Sequence, residues 1–187
     1  MAVVINGSGT VTGISVGGLP DGIVDDGTLA TDSVTAAKLK DDAITVGDLP
    51  AGSVLQVSSS SLGGTGLETS TNTDADMCTV TLTPNSSSNK LLILASNAQA
   101  YAASNAPEGE VRVYSDLTSA YLGNCSTYQN QQNAGYVGGG TISIEHSLST
   151  WSSGSVTIRL KGRSKNSVYI QLAAYGLATL TVMEISS

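Results

Sequence analysis

Residues 124–133 read NCSTYQNQQN, a run rich in amide and phenol groups, and Tyr136 follows closely. Amides donate and accept toward hydroxyls, and a tyrosine ring offers a flat stacking face. Tyr128, Gln129, Asn130, Gln131, Gln132 and Tyr136 therefore form the first candidate surface for carbohydrate recognition. An ordinary surface loop would be polar as well. Tyr101 and Asn105, in a second long loop expected over residues 99–108, are the next candidates.

Arg159, Lys161, Arg163 and Lys165 fall at alternate positions, so on a continuous strand they project from one face. Such a stripe suits anionic sugars or phosphates. It also suits a solvated face paired across strands with Glu110 or Glu145, and that reading is preferred. Glu108 and Glu110 have the side chains that glycoside hydrolysis uses. Two positions apart on a strand edge they read as a polar rim, because nothing supplies the positioned acid and nucleophile that a hydrolase needs. His146 shares an apolar side with Ile142, Ile144 and Leu148 and has neither a GxSxG elbow nor a second His, so it reads as buried. Trp151, in STWSSG, reads as a loop anchor.

Cys78 and Cys125 lack CxxC spacing and have a single His for company, which argues against zinc. In a reducing cytoplasm both thiols are expected to stay free. Cys78 alternates with Val80 and Leu82 like a small core residue, and Cys125 is placed at a strand end. No enzyme activity and no cofactor are expected.

The elements that carry these residues are strands. Only 12% of the 187 residues are charged, there are 21 Gly and no Phe, and no run of Glu, Lys, Leu and Ala could sustain a long helix. Ser, Thr and Val instead fit a pleated surface. From about residue 54 the pattern predicts roughly eight short strands: 77–83, with Cys78, Val80 and Leu82 on one face; 90–95, apolar on both faces; then runs around Val111, Ile142, Val156, Val168 and 177–185. Turn clusters such as PNSSSN separate them, which indicates an antiparallel sandwich or jelly roll.

Residues 1–53 follow another rule. Leu19, Leu29, Leu39 and Leu49 recur every ten residues, and Ile14, Val24, Val34, Ile44 and Val54 form a second series offset by five. One aliphatic in five cannot offset the backbone entropy of a single chain. Several chains wound together would bring each aliphatic against its symmetry mates, so these nine residues are assigned to the axis of a stalk. A disordered linker has no reason to keep such register.

The net charge of −7, of which residues 1–53 hold −5, removes the basic footprint that a phosphate backbone needs, and nucleic acid is excluded as a partner. No apolar run reaches the length of a membrane span, and no basic-then-apolar leader opens the sequence. A soluble protein without a signal peptide or membrane insertion is expected.

Several stretches resemble tailed-bacteriophage fibre proteins. VINGSGTVTGISVGGLPDG is similar to the start of such fibres, and DGTLATDSVTAAKLKDDAITVGDLPAGSVLQV to their stalk repeats and the approach to the head. TLTPNSSSNKLLIL and LATLTVMEI are similar to early and final strands of their C-terminal domains. Residues 98–140 match no such motif, and the chain is short for a long fibre.

The resemblance implies a tumour necrosis factor-like jelly-roll head, trimeric about the stalk axis. It further implies an N-terminal segment (1–18) attached to other tail proteins, a stalk (19–53) and a head (54–187). The protein would be assembled in the host cytoplasm, belong to the virion tail, and bind a glycan or protein of the host surface. A purely structural tail component and, behind it, a capsule-degrading spike are the rivals.

Overall fold

The computed structural model describes residues 4–5, 11–12, 31, 33–41, 43–64, 66–102, 108–128, 135–174 and 176–187. Ile14, Leu19, Val24 and Leu29 of the repeat, and Asn105, Gln129, Asn130, Gln131 and Gln132 of the candidate surfaces, lie outside these residues. The chain divides into two units, Met1–Thr45 and Val46–Ser187.

In the first unit β1 (Val4–Ile5) pairs antiparallel with β2 (Val11–Thr12). The ten-residue period has a local counterpart. Short 3-10 turns occupy Ala36–Lys38 in this unit and Val46–Asp48 at the start of the second, one period apart in sequence. Each closes on the residue before it or within it, Lys38 N donating to Thr35 O and Leu49 N to Val46 O. Val34, Leu39, Ile44, Leu49 and Val54 are all exposed, so a single chain covers none of them.

The second unit is built from β3 (Val54–Leu62), β4 (Leu67–Thr69), β5 (Ala75–Leu82), β6 (Lys90–Ala102), β7 (Glu108–Ser115), β8 (Ala120–Tyr128), β9 (Gly135–Ser147), β10 (Val156–Ser164), β11 (Ile170–Leu172) and β12 (Ala178–Ile185). The protein is mainly β, and every pairing is antiparallel. One sheet has the order β5-β10-β7-β8. In the other, β3-β12-β6-β11-β4, the long β6 also carries β9 along its free edge.

The core lies between the sheets, as in a β-sandwich. Val80, Val113, Ile158 and Leu160 come from one sheet, Leu91, Ile93, Leu180 and Val182 from the other. Strict alternation produces these faces: β10 and β12 bury every second residue along their whole length.

Strand direction sorts the connections. The chain comes in through residues 50–53 at one end, where Ser186 N donates to Ser53 O and Gly52 N to Ser186 O. The turns β5–β6, β7–β8 and β9–β10 share that near end. Tracing β6, β8 and β10 along their lengths carries Ala102, Tyr128 and Ser164 to the opposite, far end.

Candidate binding surfaces

The basic stripe projects from the outer face of the four-stranded sheet, and carboxylates meet it. Arg159 pairs with Asp76 at 2.7 Å and Asp116 at 2.9 Å, and Lys161 with Asp76 at 2.6 Å. Arg163 Nη2 lies 2.6 Å from Glu110 Oε2, and Lys165 pairs with Glu108. Burial alone would raise the Asp76 carboxyl, but hydrogen bonds from Lys161 and Arg159 hold it below its usual range. The expected cross-strand pairing therefore holds for Glu110. Glu145 pairs with Lys90 instead, and Asp76, Asp116 and Glu108 take the remaining cations. An anionic ligand on this stripe would have to displace these carboxylates.

Glu108 and Glu110 do not stand on a strand edge as the polar-rim reading requires. β7 lies between β10 and β8, which buries Glu110. It accepts from Arg163 Nε on one side and from Asn124 Nδ2 on the other, both at 2.7 Å. Beside it a shallow groove of about 300 Å³ is lined by Arg112, Tyr121, Leu122, Gly123 and Asn124. Here the Arg112 guanidinium sits 3.3 Å from the Tyr121 ring centroid, and Tyr114 meets that ring edge-on. The Tyr121 hydroxyl donates to Asp74, which raises its pKa. The groove offers mixed, mutually satisfied polar groups and a ring edge.

At the far end the described residues of the two expected loops are strand. Tyr101 lies in β6, not in a loop, and pairs with Gln171 of β11 and Tyr136 of β9. Asn124 and Tyr128 lie in β8, and Tyr136 at the start of β9. Cross-strand hydrogen bonding overrides the polar composition there. The row extends to Glu68, which accepts from Gln171 Nε2 at 3.4 Å. Tyr169 is exposed, and burial with the nearby Glu68 raises its pKa. Glu68 and Gln171 escaped sequence reasoning because register alone unites them with Tyr101, and Tyr169 immediately precedes β11 (Ile170–Leu172).

The remaining candidates are structural. His146 is buried, its Nε2 is 3.1 Å from Ser115 Oγ, and burial lowers its pKa. Trp151 donates from Nε1 to Gly154 O and packs on the core, as an anchor does. Both cysteines are free. Cys78 and Cys125 lie on opposite edge strands of one sheet, three strand spacings or roughly 14 Å apart, beyond disulfide reach. Cys125 is inside β8, not at its end, and fits against the missing side chain of Gly140.

One heavily bonded buried side chain is not singled out by the sequence. Glu184 is fully buried and accepts from Gln56 Nε2 (2.6 Å), Asn85 N (2.7 Å), Asn85 Nδ2 (2.8 Å) and Asn89 Nδ2 (2.7 Å). Burial pushes its carboxyl up, yet these bonds bring it below the usual range. It ties the final strand to the PNSSSN turn and to β3. No protein-family profile matches this chain, and no curated protein matches it significantly.

Proposed function

We propose that this protein is a homotrimeric tail-fibre subunit of a tailed bacteriophage that attaches to other tail proteins through its N-terminal segment and binds a host-surface glycan or protein. Its head would be a tumour necrosis factor-like jelly roll, a reading to which the antiparallel two-sheet arrangement lends support. The observation that carries the reading is the polarity of the Val46–Ser187 unit. The chain arrives from the ten-residue repeat at one end, and the strands bearing Tyr101, Tyr128 and Tyr136 terminate at the other. Three copies on one stalk would raise apparent affinity through effective concentration, so each site can be weak.

Adsorption tests this. Purified full-length protein, added before the phage, should block attachment to host cells in proportion to its concentration. Undiminished adsorption, with the protein located inside the tail by antibody labelling of virions, would move it to the purely structural class. Released oligosaccharide from host capsule would instead favour the spike.

A further inference from the structure

The strands of the six-stranded sheet carry a single Lys or Arg among the described residues, Lys90 at the near end, and Glu145 takes it. The far end of that sheet holds a carboxylate, Glu68 of β4, which no cation meets among the described residues. Lys165, which follows β10 at the same end, is already paired with Glu108. On the opposite sheet Asp76, Glu110 and Asp116 each have an arginine. Glu184 has no cation either, but it is buried and surrounded by its four donors. Glu68 is therefore an exposed acid, left unneutralised beside tyrosines.

Register explains which groups surround it. Ile170 and Leu172 turn into the core, so alternation sends Gln171 and its cross-strand neighbours Tyr101 and Glu68 to the outer face. Tyr169, just before β11, is 37% exposed, and its hydroxyl donates to Glu68. Gln171 Nε2 lies 3.4 Å from the same carboxylate. An ionised carboxylate can only accept, and its two oxygens offer about four lone-pair sites. Two donors leave roughly half of these open.

A ligand for this surface must bring donors, and it must not bring negative charge. Hydroxyls on adjacent ring carbons meet both conditions, and a tyrosine ring stacks on the apolar face of a pyranose. A carboxylated or phosphorylated sugar fails twice. Its anionic group offers acceptors to an acceptor, and two like charges meet with no cation between them. We propose that the far-end site takes a glycan terminus rich in hydroxyls and free of acid groups, with Glu68 as its acceptor. The inference rests on the adhesion reading above and names the class of its ligand. Glu68 is then the residue that sets specificity, since the rings would stack on neutral and acidic sugars alike. The chain's net charge of −7 acts in the same direction at longer range.

The test measures binding of the full-length protein to immobilised glycans that end either in neutral hexoses or in uronic and sialic acids. Neutral termini should be bound, with little dependence on salt. Glu68→Gln should weaken that binding roughly tenfold, the difference between a charge-assisted hydrogen bond and a neutral one. Glu68→Lys should bring acidic termini into the bound set, which a merely structural role for Glu68 would not do. Glu145→Gln, at the near end of the same sheet, should change neither. Tyr169→Phe should keep more of the binding than Tyr169→Ala. Circular dichroism establishes that each variant folds. Acidic termini preferred by the parent, or a Glu68→Gln variant that binds as the parent does, overturns the inference. So does a protein that blocks phage adsorption yet binds no glycan, which leaves the adhesion reading standing with a protein as receptor. A protein that neither blocks adsorption nor binds glycan overturns both.

Discussion

Glu184 shows how a lone carboxylate is kept ionised without a cation. Its four donors come from two separate segments, β3 and the PNSSSN turn, and each donor would be orphaned by any side chain that cannot accept. Glu184→Gln turns one acceptor into a donor facing donors, at a cost of about 2–4 kcal/mol. Urea unfolding at neutral pH should show the midpoint shift, and an unchanged midpoint would falsify the assignment. The pH dependence follows from the depressed carboxyl. Its contribution is complete above the unfolded value of ~4.3 and is lost as pH falls through the lower folded value. The parent should therefore lose stability on acidification in that range, and Glu184→Gln should lose less. His146 acts in a separate window. Burial depresses its imidazole, so stability declines as pH falls below ~6.5 toward the folded value. His146→Gln should flatten that upper step and spare the lower one.

Among elements, β10 makes the clearest prediction because its stripe is neutralised on both sides. Changing Arg159, Lys161 and Arg163 together to Gln should lower stability, chiefly through Glu110, whose buried carboxylate loses Arg163. The exposed pairs made by Arg159 and Lys161 contribute less, ~0–1 kcal/mol each. Cell binding should survive this change and vary little between 0.1 M and 1 M salt. Changing Tyr128, Gln131 and Tyr136 together to Ala should abolish binding instead. Strong salt sensitivity with loss confined to the Gln variant would place the receptor on the stripe.

The same elements show what sequence could and could not carry. Alternation over Cys78, Val80 and Leu82, and over Val156, Ile158 and Leu160, was legible because inward positions are aliphatic. Strands β3, β4 and β8, and the later half of β6, were not. Neither they nor the GGG start of β9 has an apolar period, and neighbouring strands hold them there. Of the candidate surface, Tyr101 and Tyr136 were visible by residue type, but their union with Gln171 and Glu68 depends on register across four strands. Glu184 was hidden for a related reason: its partners Asn85 and Asn89 stand almost a hundred residues away.

For the whole molecule the deciding quantity is how many chains share the repeat. Within one chain Leu39 is 45% exposed and Ile44 59% exposed, and a solitary chain gains nothing by keeping them at ten-residue spacing. If three copies close around an axis, each level buries three aliphatics that have no other core. Leu39→Asp then sets three carboxylates at one level in poorly solvated surroundings. The cost is several kcal/mol, on the order of 3–5 if the charges remain, unless the carboxyls protonate. Two readouts follow from one substitution. Protease should cut the repeat of the variant at a concentration that leaves the parent intact, and acidification should restore part of the resistance, because protonated aspartates no longer repel. A surface aliphatic on an isolated chain behaves oppositely, since Asp there is merely more soluble. Variant and parent digested at equal rates at both pH values would remove Leu39 from the axis, and with it the reason for the ten-residue period.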